Sequence, residues 1–281
     1  MGFFSGNYYK EGPGVKKNER QKKGFFSFFE IYIRNFWKLF SISFVYSAIS
    51  VLTLGIGNGL AKAGMTHVVR SMGRQKHSFG FSDFFDTIKK NWKQSLIMGF
   101  LNVILMALLS LDVWYFWGYI SNTKELAVTQ ILGLGVSLAL LIIVTFIKYY
   151  IWTMTITFSL TIKQMVKNAF HFSFLNVGRN ILIAVVMGLI YVGLYFLAVI
   201  NGGFFVVAAV ILTCIVPGFK MSLIHANVFP SIKKYIIDPY YAEHKGEDIE
   251  KRRALGLEVG DDEVWDEQEE SLFTDTVSND D

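Results

Sequence analysis

Lys89, Lys90 and Lys93 are the residues of this chain whose types and spacing speak most directly of chemistry. Laid on a helix at about 100° per residue, they fall with Asp83 and Asp86 opposite an arc of Phe81, Phe84, Phe85, Ile88 and Trp92. The chemistry is electrostatic. Ammonium groups in that pattern reach anionic lipid phosphates while the aromatic arc sinks into the headgroup boundary, where the amphipathic ring of Trp92 is well placed. Asp112 and Lys148 stand alone in apolar runs and suggest an ion pair, but a hairpin centred near Asn122 puts them about 24 Å apart. Asp112 is therefore expected at an outer interface beside Trp114 and Trp117, and Lys148 at an inner one among Tyr149, Tyr150 and Trp152. Asn102 either bridges neighbouring helices, a bond worth about 0.6 kcal/mol, or simply packs.

Catalysis is not expected. His67, His77, His171 and His225 are scattered without metal-ligand spacing, and Cys214 is the sole cysteine, so neither a metal site nor a disulfide is legible. No Walker loop, dinucleotide fingerprint or nucleophile elbow occurs, and no catalytic residue or cofactor site is assigned. Gly55, Gly57 and Gly59 make no phosphate cradle, because no strand precedes them and no Lys-Ser/Thr follows in register.

The elements that must position these residues are membrane helices. The chain has 281 residues, 52% of them hydrophobic and 18% charged, against about 25% charge in ordinary soluble domains. Eleven acidic residues and no basic ones lie from Glu258 to Asp281, so the net charge of +4 conceals a surplus of fifteen positive charges over residues 1–257. Amid aromatic-rich apolar runs, that surplus points to an anionic lipid leaflet and not to nucleic acid. The N-terminus carries no signal-peptide pattern.

Residues 1–24 read as a flexible basic lead, 25–229 as a helical membrane domain, and 230–281 as a C-terminal segment with a disordered acidic tail. Five apolar runs are long enough to span: Phe36 to Ile56, Ser95 to Tyr119, Val128 to Tyr150, Asn180 to Ile200 and Phe204 to Phe219. Lys and Arg crowd residues 10–38, 62–93, 163–179 and 220–253, which the positive-inside rule places in the cytoplasm. The first two segments share one side only if Thr53, Gly55, Gly57, Asn58 and Gly59 turn the chain and residues 57–74 return as a short sixth helix, crossing or re-entrant. Asn58 is expected to tolerate a left-handed turn conformation. The fold class is thus all-α and polytopic, with both termini cytoplasmic and interfacial helices at Phe81 to Lys93 and Ile162 to Val177. Pro217-Gly218 is expected to kink the last span and free a carbonyl. A weak internal echo lays Phe84 over Phe170 and Lys93 over Arg179.

Thr53-Leu54-Gly55 and the run Phe84-Phe85-x-x-Ile88-Lys89-Lys90-Asn91-Trp92-Lys93-Gln94 resemble the YesL-like family of bacterial integral membrane proteins, over roughly residues 25 to 240. Members often carry a proline just before the turn, where this chain has Ser50-Val51-Leu52. The resemblance implies a multi-pass protein of a bacterial cell membrane, found in the company of carbohydrate uptake, and supplies no catalytic residue. Three functions follow as expectations: an accessory component partnering solute-transporter permease subunits, a small transporter or channel, and a membrane organiser binding anionic lipids. Oligomeric state is not legible.

Overall fold

The computed structural model describes residues 25–73, 79–123, 128–158, 160–200 and 202–243. The basic lead and the acidic tail lie outside them. Every described element is helical: α1 (Phe25–Arg34), α2 (Phe36–Leu52), α3 (Asn58–Gly73), α4 (Phe81–Asn122), α5 (Val128–Thr157), α6 (Ile162–Leu175), α7 (Val177–Ile200), α8 (Gly202–Val210), α9 (Val216–Ile232) and α10 (Asp238–Glu243). Wider π turns at 211–215 and 233–237 join α8, α9 and α10 into one continuous rod.

Four of the described helical stretches are long and apolar enough to cross a membrane: α4, α5, α7 and the rod from Gly202 to Tyr240. They contain four of the five expected spans. The fifth, Phe36 to Ile56, is cut short: α2 is helical for seventeen residues and ends at Leu52. The reversal is local and physical. The Gly55 N–H closes the helix on the Ser50 carbonyl (2.7 Å), and Leu54 and Gly55 take positive φ of 49° and 85°. Asn58, expected in that role, is instead the first residue of α3, and its Oδ1 accepts the Tyr46 hydroxyl at 2.8 Å. The short helix expected over residues 57–74 is there as α3, sixteen residues long.

The depth of this first hairpin is set by close backbone contact. A Cβ on Gly59 would stand 2.1 Å from the Ser95 carbonyl oxygen and 2.6 Å from Gly99 Cα. Gly59-x-x-x-Ala63 on α3 and Ser95-x-x-x-Gly99 on α4 are thus two small-residue faces pressed together, as membrane helices prefer. A Cβ on Gly55, at the turn, would lie 3.8 Å from Val103. From Val103, α4 runs on to Asn122, about 28 Å at 1.5 Å per residue, without the hairpin beside it.

Burial divides the long helices in two. Their buried residues gather at one end, Phe84 to Gly99 on α4, Phe146 to Thr155 on α5, Asn180 to Met187 on α7 and Cys214 to Ile232 on the rod, with Ser137, Leu109 and Ala208 as outliers. The other ends bare Leu101, Leu108, Trp114, Leu132, Leu189 and Phe205, among others. The helix directions put every packed end on one side, together with α1, α3 and α6. This packed base holds the core, built on Phe28, Leu39, Met65, Phe84, Tyr150, Met165 and Ile232.

A threefold pattern underlies the base. Asn35, Asn91 and Asn176 each break a helix, with φ/ψ of −106°/16°, −111°/16° and −120°/35°. Each side-chain Nδ2 donates to the carbonyl four residues earlier, on Ile31, Thr87 and Phe172, at 2.9, 3.1 and 3.2 Å. The residues seven before, four after and seven after each Asn are all buried: Phe28, Leu39, Ile42; Phe84, Ser95, Met98; Ala169, Asn180, Ile183. Each break therefore turns an amphipathic helix lying at the base into the outgoing helix of a hairpin: α2/α3, α4/α5 and α7/α8–α9. The echo between α4 and α6–α7 falls within one residue of this register, and α1–α2 is a third copy.

Candidate functional site

The interfacial segment forms the first part of α4, before the break at Asn91. Gly80 is its N-cap, and Asp83 in the first turn reaches back, its Oδ2 accepting the Phe79 N–H at 3.0 Å. Phe81, Phe85, Trp92, Lys89, Lys90 and Lys93 are exposed, and the Lys93 ammonium stands 5.6 Å from the Trp92 ring centre. The aromatic arc is nevertheless split. Phe84 is fully buried and Ile88 half-buried, because the helix turns these two and Thr87 toward α3. Phe84 lies so close to α3 that a Cβ on Gly64 would be 2.8 Å from its ring. Beside this segment, Trp37, Lys38 and Ser41 of α2 and Phe79 and Phe81 line a groove of about 450 Å³.

Two bonds anchor the base beneath it. Gln94 Nε2 donates to the Leu160 carbonyl (2.7 Å) in the α5–α6 linker, and Arg70 donates to the Ile156 carbonyl (3.3 Å) at the end of α5. Arg70 is 6% exposed and stacks over Phe229 at 5.7 Å. Helix α6 starts from a capping box between Thr161 and Gln164. On α7, fully buried Asn180 accepts the Tyr150 hydroxyl at 3.0 Å and donates to the Ser173 carbonyl at 2.9 Å.

The hairpin residues have separate tasks. Thr53 Oγ1 accepts the Gly57 N–H at 2.9 Å, Gly55 supplies the positive φ, and Gly59 makes the backbone contact with α4. Pro217 and Gly218 seat α2. Pro217 has no N–H for the Thr213 carbonyl, which accepts the Ser47 hydroxyl of α2 instead, at 2.7 Å. A Cβ on Gly218 would meet Ser43 Oγ at 2.8 Å and Leu39 Cβ at 3.3 Å. Asp112 is exposed on the bare part of α4. Asn102 is half-buried, and its Oδ1 is buried without a hydrogen-bond partner.

Lys148 is not isolated. It lies within electrostatic reach of Lys62 on α3 and Lys220 on α9. Sequence reasoning gave no role to Lys62, Lys220, Asn35, Asn176 or Arg70. The available signal was the spacing of Asn to the following basic residue, Lys38, Lys93 and Arg179, which recurs at two to three positions.

No curated protein and no solved structure matches the chain. Leu54 to Val113, about a fifth of the chain, comprises the hairpin turn, α3 and most of α4, the same ground as the two motifs that resemble YesL-like proteins. Over these residues, 54–113, the chain matches the model of a family described as a protein of unknown function, DUF624.

Proposed function

We propose that the chain is a multi-pass protein of a bacterial cytoplasmic membrane, with its base toward the cytoplasm, which works by binding and not by catalysis. One observation carries this: the helix ends that are bare of protein contact are mainly aliphatic and aromatic, with Asp112 the one charged residue described there, while the exposed Lys89, Lys90, Lys93, Lys163, Lys167, Arg179 and Lys234 all belong to the packed end. Bare apolar rods about 30 Å long suit a hydrocarbon core, and a basic rim suits the anionic cytoplasmic leaflet. In this frame the α2/α3 hairpin is re-entrant. It enters from the cytoplasmic side, turns near the level of Val103 and goes back, so both termini stay on one side.

The partner assignment is an accessory component of a carbohydrate-uptake system, supported by the YesL-like resemblance. The basic face of α4 is the docking surface. Purification from native membranes in mild detergent, with mass spectrometry of co-purifying proteins, tests it. Permease subunits should accompany the wild-type protein in fixed ratio, and Lys89→Glu/Lys90→Glu/Lys93→Glu should lower their recovery by about tenfold, ~1.4 kcal/mol, without loss of insertion. Recovery of the wild-type protein alone would contradict the accessory role. A second reading, an anionic-lipid binder, is favoured by the exposed pairing of Trp92 with Lys93 and by the groove at Trp37 and Lys38.

A further inference from the structure

Each of the three hairpins returns to the base on one helix, and each returning helix carries one lysine: Lys62 on α3, Lys148 on α5 and Lys220 on α9. These helices pack against one another in all three pairings. The three ammonium groups lie within electrostatic reach of one another, Lys62 of both Lys148 and Lys220, and Lys148 of Lys220. Aromatic faces fix two of them: Lys62 Nζ is 5.6 Å from the Trp152 ring centre and Lys220 Nζ is 5.9 Å from that of Tyr191. The Tyr191 phenol lies near those of Tyr46 and Tyr149, which adds hydroxyls beside the cations.

All three lysines are half-buried. Helices α2, α3, α5, α7, α8 and α9 contain no Asp or Glu, and of the acidic residues of α4, which packs against α3 and α5, Asp86 and Asp112 are exposed and Asp83 is half-buried in its first turn. Three like charges held together between apolar helices repel one another and lose hydration, an arrangement that persists where a counter-charge completes it. The depth also fits. Lys148 lies twenty residues from the start of α5 and Lys220 eighteen from the start of α8, so each is about 27 to 30 Å from its hairpin tip, one hydrocarbon thickness away.

We propose that Lys62, Lys148 and Lys220 form a binding site for a phosphate-type anion, at the depth of the inner-leaflet headgroups. Three separate point charges around one centre suit a multi-oxygen anion, since each ammonium engages a different oxygen. Two sources share this chemistry: the phosphodiester of an anionic lipid, and a soluble phosphate compound entering from the base. The site goes beyond the accessory reading and does not depend on its partner.

The test measures thermal unfolding of the full-length protein at constant ionic strength. One arm compares nanodiscs of phosphatidylcholine with nanodiscs containing phosphatidylglycerol; the other adds inorganic phosphate in phosphatidylcholine. The wild type should melt several degrees higher in at least one arm. A shift with phosphatidylglycerol alone assigns a lipid, and one with phosphate assigns a soluble anion. Lys62→Gln/Lys148→Gln/Lys220→Gln should abolish the shift, whereas Arg34→Gln, which removes an exposed positive charge on α1, should keep it. Each single Lys→Gln variant, which preserves the fold should the triple one not, should bind the effective anion about tenfold more weakly and, without anion, melt above the wild type as repulsion is relieved. No shift of the wild type in either arm, or a shift unchanged in the single variants, would overturn the proposal.

Discussion

Gly59→Val is expected to abolish the folded protein. The new Cβ has to occupy a point 2.1 Å from the Ser95 carbonyl oxygen and 2.6 Å from Gly99 Cα. These are backbone atoms of a long helix held by its own hydrogen bonds, so no flexible side chain can yield. Overpacking usually costs about 1–3 kcal/mol where side chains adjust, and a backbone clash on this scale should exceed ~3 kcal/mol. Since α3 meets α4, α5 and α9, separating it from α4 opens the whole base. Size-exclusion and thermal unfolding in detergent check this. Gly99→Val should behave alike, because its Cβ would fall 2.8 Å from Gly59 Cα and N. Gly188→Val on α7, where a Cβ meets nothing within 4 Å, should elute and melt as the wild type does.

Phe84→Ala should lower stability by about 3–5 kcal/mol, the usual cost of emptying a buried aromatic site. Phe84 is fully buried, and the absence of a Cβ on Gly64 is what admits its ring. Its neighbour Phe85 is 43% exposed, and Phe85→Ala should change the unfolding midpoint little. The contrast separates two roles for the segment. A helix that only floats at a lipid surface would lose similar amounts from either truncation, and would lose them in membrane affinity and not in protein stability. A helix built into the base loses stability at Phe84 alone.

The sequence carried the helical class, the amphipathic run at Phe81 to Lys93 and the place of the hairpin turn, because these are local: periodicity, apolar length and glycine spacing all lie within a few residues. It did not carry depth. Hydropathy counts Phe36 to Ile56 as a span, but where α2 ends relative to α4 is set by Gly59 meeting Gly99, forty residues away in the chain. Nor did it carry the inward turn of Phe84. The arc that contains Phe84 also contains Phe81 and Phe85, and only packing against Gly64 divides them. The threefold Asn break was half legible. The copies at Asn91 and Asn176 showed as a faint echo, while Asn35 was harder to see because the residues four after each Asn, Leu39, Ser95 and Asn180, share burial and not identity. Lys148 read as one snorkelling residue, since nothing local links it to Lys62 and Lys220.

The anchoring bonds explain why a base of this kind stays ordered beneath loosely associated rods. Arg70 satisfies a carbonyl at the end of α5, Gln94 one in the linker after it, and Ser47 the carbonyl released by Pro217. Arg70 and Ser47 tie the first hairpin to the second and the third, and Gln94 ties α4 to the linker that leads into α6.

The central claim is a membrane protein with a cytoplasmic base and a first hairpin that re-enters without crossing, and cysteine labelling tests it most directly. Cys214 is buried and is the only native thiol, so a Cys214→Ser background is blank. In intact cells, a membrane-impermeant maleimide should label Thr123→Cys, at the end of α4. It should leave Lys163→Cys on α6 unlabelled until the membrane is permeabilised. Leu54→Cys decides the hairpin: this turn residue is 88% exposed, so packing within the protein does not shield it. Silence of Leu54→Cys from outside, with labelling at Thr123→Cys, is the predicted result; labelling of both from outside would show that the first hairpin crosses and would contradict the account.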